Sequence, residues 1–289
     1  MASQSYRVII IPRTLVFKQA AGTSRGFYKT RKVWYILVAS TILPSVHGIG
    51  ECAPLPDLSC DAMPDEDYTS LLRKFCDDFE RTGKIDYEGM RPYPSMLFGL
   101  ETALFSVQAS ASGRNPHHLF ENAFYEGRRP ILTNGLVWMG NYDEMSKRID
   151  EKLDNGFRCI KLKIGSIDFD SELSLLKKIR NRYGPSILEI RVDANGAFGY
   201  DEALVKLNRL SSFHLHSIEQ PIPTGQWEKM GDLCKKSPVP IALDEELIGI
   251  NNISIKSSLL DTIHPHYLVL KPSLHGGMSG CNEWIELAA

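Results

Sequence analysis

The sequence predicts an α/β protein in which a small α+β module precedes a larger domain built on a parallel sheet. Two features of the chain lead there. From about Pro130 onward, short apolar runs alternate with amphipathic stretches of helical length, the pattern of repeated βα units. Before that point, strand-like and helix-like segments are segregated. The length of 289 residues exceeds what one small core usually needs, which fits a boundary near residue 125, with segments 1–125 and 126–289. The apolar fraction of 43% and charged fraction of 24% are those of a globular chain, and the net charge of −2 argues against a nucleic-acid-binding surface.

In the first module, Tyr6 to Phe17 and Arg31 to Ser40 are apolar, β-branched runs that read as strands. Lys18 to Gly26, rich in small and polar residues, reads as a mobile loop, and Gly48, Gly50, Pro54 and Pro56 mark an irregular segment around Glu51. Asp65 to Arg81 carries apolar residues at helical spacing and is followed by Gly83, a stop signal. Ser95 to Ala111 predicts a second, more buried helix.

In the second domain the expected strands are Ile131–Val137, Cys159–Ile164, Leu188–Asp193, His216–Gln220, Pro240–Asp244 and Tyr267–Lys271. Helices are expected near Tyr142–Asp154, Phe169–Tyr183, Asp201–Leu210 and Trp227–Lys235. Right-handed crossovers then give either a β/α barrel or a doubly wound sheet. The count of strands stops at six before a last helix, Met278–Ala289, so a barrel would be incomplete and truncated at its C-terminal side.

Cys52, Cys60, Cys76, Cys159, Cys234 and Cys281 show no C-x-x-C or zinc-ligand spacing and read as reduced thiols. No leader is apparent, and no run approaches the ~18 apolar residues of a membrane span. The expectation is a cytoplasmic protein with a small-molecule partner and neither nucleic acid nor membrane. Oligomeric state is not readable.

Five charged residues end five successive predicted strands: Lys163, Asp193, Glu219, Asp244 and Lys271, at separations of 30, 26, 25 and 27 residues. In a barrel that spacing gathers them at one rim, where such folds place their active sites. Alternation along each strand turns Ile160, Leu162, Val192, Ile218 and Leu243 to one face, leaving Lys161 and the five charges on the other. Taken singly, each acid reads as a helix cap or surface ion pair. Taken together, inward charges at one end are costly unless they pair or bind an ion. Asp193, Glu219 and Asp244 are hard oxygen donors suited to Mg²⁺, with no His or Cys beside them to favour zinc. Lys163 is the candidate base, its pKa expected to fall beside Lys161 and a metal. Lys271 is a second base or a facing cation.

These segments resemble a known family. Lys161-Leu162-Lys163, Val192-Asp193-Ala194-Asn195, Ile218-Glu219-Gln220-Pro221, Leu243-Asp244-Glu245 and Leu270-Lys271-Pro272 look like the signatures of the enolase superfamily, muconate-lactonising-enzyme branch. The first domain resembles its capping domain, with Lys18–Gly26 and Gly48–Leu55 as specificity loops. Thr133–Gly140 resembles the first barrel strand of o-succinylbenzoate synthases. The resemblance implies an enolase-type β/α barrel with an N-terminal α+β capping domain. It further implies Mg²⁺-dependent dehydration of 2-succinyl-6-hydroxy-2,4-cyclohexadiene-1-carboxylate to 2-succinylbenzoate, in menaquinone biosynthesis. Lys163 would remove the proton and assist hydroxide departure, with Mg²⁺ on Asp193, Glu219 and Asp244 stabilising the enediolate. Lys271 would face the anionic ring, Lys161 would orient the carboxylate, and Asn195 and Gln220 would support the site.

Two alternatives remain at this level. A dipeptide epimerase shares the same lysines, and a truncated fragment would bind or fold without catalysis. Trp138 and Met139 read equally as pocket lining or core. His117, His118, His214, His216, His264 and His266 read as structural or surface groups, and Arg128-Arg129 as a solvated junction between the domains.

Overall fold

The computed structural model describes residues 6–23, 26–43, 45–115, 118–120 and 122–289. The N-terminal module is a three-stranded antiparallel sheet in the order β1 (Tyr6–Thr23), β2 (Gly26–Ser40), β3 (His47–Cys52), covered by helices α1 (Asp65–Thr82), α2 (Tyr87–Met90) and α3 (Pro94–Ala111). The apolar stripe of α1, Tyr68, Leu72, Phe75, Cys76 and Phe79, is buried, and Gly83 ends the helix in the left-handed conformation with its N–H on Phe79 O. Helix α3 is buried on most sides, as its composition predicts.

Two expectations are corrected here. Lys18–Gly26 is not a loop up to Thr23: β1 runs through it and re-pairs with β2 at Ala21↔Tyr28, after a register shift that follows Val16. Residues 24 and 25 lie outside the described residues. The segment around Glu51 is a regular edge strand, β3. Its glycines serve close packing rather than irregularity: a Cβ on Gly48 would run into Ala103 O, and one on Gly50 into Gly99 O, both on α3.

The second domain alternates β4 (Gly135–Val137), α4 (Tyr142–Asp154), β5 (Cys159–Lys163), α5 (Phe169–Arg182), β6 (Glu189–Asp193), α6 (Tyr200–Ser211), β7 (Ser217–Glu219), α7 (Trp227–Lys236), β8 (Ile241–Leu243), a 3₁₀ turn (Glu245–Leu247), α8 (Ile253–Ile263), β9 (Tyr267–Leu268) and α9 (Gly277–Ala288). The strands pair in parallel in the order β4-β5-β6-β7-β8-β9, six consecutive staves of a β/α barrel. The strands are shorter than their apolar runs suggest. β4 begins at Gly135, with Ile131 and Leu132 exposed, and β9 stops at Leu268, so Lys271 lies in the turn beyond it. Helix α8, capped by the Asn252 side chain, was not foreseen.

The parity argument holds. Ile160, Leu162, Ile190, Val192, Ile218, Ile241 and Leu243 are buried in one core with Ile149 of α4, Leu175 and Ile179 of α5, Leu207 of α6 and Met230 of α7. Burial of a single such side chain contributes about 1.5–3 kcal/mol, so this layer holds the strands to the outer helices.

The two modules are tied at the start of α9. The carboxylate of Glu101 on α3 accepts the backbone N–H groups of Met278 and Ser279, the latter at 3.0 Å, and so satisfies donors that a helix N-terminus leaves open. Arg91 bridges to Glu283 of α9 at 2.9 Å, and the buried Lys256 of α8 meets the same carboxylate at 2.7 Å. All six cysteines are free thiols. Among the described residues no helix is long and apolar enough to cross a membrane.

Candidate active site

Strand register builds the site. Lys163, Asp193 and Glu219 are Cα partners across β5, β6 and β7, so they form one row at the C-terminal ends of adjacent strands. Neighbouring strands are about 4.8 Å apart, which stands these side chains shoulder to shoulder. Lys161, two residues before Lys163, shares their face. Its Nζ lies 2.6 Å from Glu219 Oε2 and 2.9 Å from Asp193 Oδ2. Lys163 Nζ donates to Asp193 Oδ2 at 2.5 Å and to Asn195 Oδ1 at 2.8 Å. Asp244 follows β8 directly and is paired with Lys271. The carboxylates of Asp193, Glu219 and Asp244 are almost fully buried, while Lys163 and Lys271 reach a cavity.

The structure thus brings the six predicted residues to one mouth, as two linked ion-paired groups. Burial and the charge of Asp193 push the Glu219 carboxyl up. Burial acts the same way on Asp193, but Lys163 and Lys161 outweigh it and hold that carboxyl low. Two acids sharing one interior site resist double ionisation, so they separate in this way. Burial alone would lower Lys161, but Asp193 and Glu219 dominate and keep its ammonium more firmly protonated.

Among the described residues, no three His, Cys, Asp or Glu side chains are gathered closely enough to hold a metal ion as they stand; lysine ammonium groups take the inward oxygens instead. The donor chemistry nonetheless fits a hard cation. Glu219 Oε1, Asp244 Oδ1 and Glu245 Oε2 are buried carboxylate oxygens with no hydrogen-bond partner among the described residues. Such oxygens are costly to bury unless a positive charge meets them.

Supporting groups come from the turns after the strands. Asn195 has φ of 46°, a left-handed position that Asn tolerates. Its Nδ2 donates to Glu245 Oε1 at 2.7 Å. Because a carboxylate only accepts, that bond fixes the amide with Oδ1 toward Lys163. Gln220 donates to Glu246 at 3.0 Å and accepts the Glu246 N–H at 3.2 Å, bracing the turn that carries Asp244. His275, fully buried, accepts the Lys271 N–H on Nδ1 at 2.9 Å, and burial pushes its pKa down to about 4. Sequence reasoning placed Asn195 and Gln220 near the site but missed Glu245 and His275. The acid next to Asp244 was a readable signal for the first. A lone histidine four residues beyond Lys271 was no signal for the second.

The cavity, about 700 Å³, lies between the modules. Trp138 and Met139 line it, which decides their role, together with Trp34, Leu55 and Leu58 of the first module. Of the remaining histidines, His216 stacks on Tyr267 and His266 accepts the Ile241 N–H, both structural contacts. His117 lies outside the described residues.

Comparison with known proteins agrees with this geometry. Residues 144–289 match the family described as enolase C-terminal domain-like. The chain is 40% identical to an o-succinylbenzoate synthase of Desulfotalea psychrophila over an alignment covering 95% of this chain and 80% of that protein. It superposes on the crystal structure of MenC from Desulfotalea psychrophila LSv54 with a TM-score of 0.77 at 36% identity, covering 98% of this chain and 83% of the other. The L-Ala-D/L-Glu epimerase of Bacillus subtilis has the same fold, with a TM-score of 0.81 at 19% identity over 99% of this chain and 79% of its own. With the inward row of lysines and acids at the strand ends, these likenesses establish that the chain belongs to the enolase superfamily.

Proposed function

We propose that the chain is a Mg²⁺-dependent o-succinylbenzoate synthase, a carbon–oxygen lyase that dehydrates 2-succinyl-6-hydroxy-2,4-cyclohexadiene-1-carboxylate to 2-succinylbenzoate. The observation that carries the reading is the in-register row Lys163–Asp193–Glu219 opening into a cavity that Lys271 faces from beyond β9. The 40% identical relative bears the same activity in its name.

Asp193, Glu219 and Asp244 are the residues that would hold Mg²⁺, with Glu245 beside them. When bound, the cation supplies positive charge next to the substrate carboxylate, where negative charge grows as the neighbouring C–H bond breaks. Lys163, as the free amine, takes that proton and returns it to the departing hydroxyl. One base then serves both halves of the elimination, and water leaves as the ring becomes aromatic. Asn195, its amide set by Glu245, holds the Lys163 nitrogen in place between the two transfers. Lys161 stays protonated between Asp193 and Glu219 and presents a fixed cation beside the base. Lys271 sets a second cation toward the anionic ring.

Incubating the protein with the cyclohexadiene substrate and Mg²⁺ should produce the absorbance of aromatic 2-succinylbenzoate, and EDTA should abolish it. Solvent deuterium washing into a dipeptide α-carbon, without aromatic product, would replace this reading by epimerisation.

A further inference from the structure

We propose that Arg31 is an anion subsite at the capping-module end of the cavity, and that it takes the distal carboxylate of a substrate carrying two carboxylates. The identity of that ligand rests on the function proposed above; the subsite itself rests on charge pairing inside the cavity. Four cationic side chains line it: Arg31, Lys32, Lys163 and Lys271. Three have carboxylate partners. Lys32 pairs with Asp65 at 3.2 Å, Lys163 with Asp193 at 2.5 Å, and Lys271 with Asp244. Arg31 has none among the described residues. Its one side-chain bond among the described residues runs from Nη2 to Ala53 O at 2.6 Å, a neutral carbonyl in the loop after β3.

That one bond matters for geometry. It anchors one arm of the guanidinium to a rigid backbone and leaves the other N–H groups of a planar fork available. A fork of this kind matches the two oxygens of a carboxylate. Arg31 is half-buried on β2, and apolar side chains including Trp34, Leu55, Leu136 and Met139 line the cavity that it shares with Lys163. An unpaired cation beside such surface is poorly solvated, so an arriving anion is attracted more strongly than in open water. A ligand with one carboxylate at the catalytic lysines, an apolar spacer and a second carboxylate matches both charged ends.

The test compares two aromatic ligands of nearly equal shape by calorimetry with the Mg²⁺-loaded protein: 2-succinylbenzoate, and 2-butanoylbenzoate, in which a methyl replaces the distal carboxylate. The native protein should prefer the first by roughly 10- to 100-fold, the range of charge-assisted hydrogen bonds. Arg31→Met should erase that preference while leaving the affinity for 2-butanoylbenzoate unchanged. Arg31→Lys, which keeps the charge, should retain a reduced preference and guards against a folding defect in the Met variant. A preference that survives Arg31→Met, or an equal loss for both ligands, overturns the subsite. Absence of aromatic product from the native enzyme, with the Arg31-dependent preference intact, would instead sink the proposed reaction and leave the subsite standing.

Discussion

Lys163→Ala is expected to lower turnover by between about 10²- and 10⁴-fold, the range supplied by a positioned general base. The expected loss falls on kcat rather than on ligand affinity. Lys163 lies at the end of β5, and its nitrogen contacts only Asp193 and Asn195 among the described residues. Removing it leaves Lys161 to neutralise Asp193, so the fold and its Mg²⁺ response should persist. Single-turnover kinetics, together with calorimetry of 2-succinylbenzoate binding, separate the two effects. A variant that still forms product at a tenth of the native rate would remove Lys163 from the role of base. Asn195→Ala offers a graded comparison, because it frees the same nitrogen without deleting it.

Asp193→Asn should have the largest combined effect on metal response and stability. Asp193 is fully buried and sits between two ammonium groups, at 2.5 Å from Lys163 and 2.9 Å from Lys161. Removing one partner of a buried ion pair typically costs about 3–5 kcal/mol, and the low end applies because Glu219 still accepts from Lys161. Denaturant unfolding without metal should show this loss, and added Mg²⁺ should no longer raise the melting temperature. The pH profile carries its own sign. The pKa of Asp193 is depressed in the folded state, so its contribution to stability is present above the unfolded value near 4 and disappears as pH falls through the folded value. The Asn variant should lack that acid limb. An unchanged limb would place the stabilising charge elsewhere.

Much of this site was legible because strand alternation and unit spacing are properties of order along the chain. Lys163, Asp193, Glu219 and Asp244 needed only a period of two and a repeat of one βα unit to be placed on one face and at one rim. What stayed hidden depends on contacts between distant segments. Gly48 and Gly50 looked like breakers, yet they permit β3 to lie against the backbone of α3, a fact that no local window contains. The Lys18–Thr23 stretch lacks apolar alternation, yet its last three residues, Ala21 to Thr23, pair with β2. Helix α8 was missed because Ile253, Ser254, Ile255, Ser257 and Ser258 are weak helix formers, and it ends at His264 in a left-handed turn rather than at a glycine. Arg31 carries no motif; its meaning appears only when its neighbours are seen to be neutralised.

The bond between Glu101 and the first turn of α9 has a thermodynamic corollary. Melting the small module would strip α9 of acceptors for two amide groups, and loosening α9 would leave the buried Glu101 carboxylate without its two donors. Neither half can relax without penalising the other, so heat should release the two together in one sharp transition. The contact between α3 and α9 is thus where the protein's cooperativity resides.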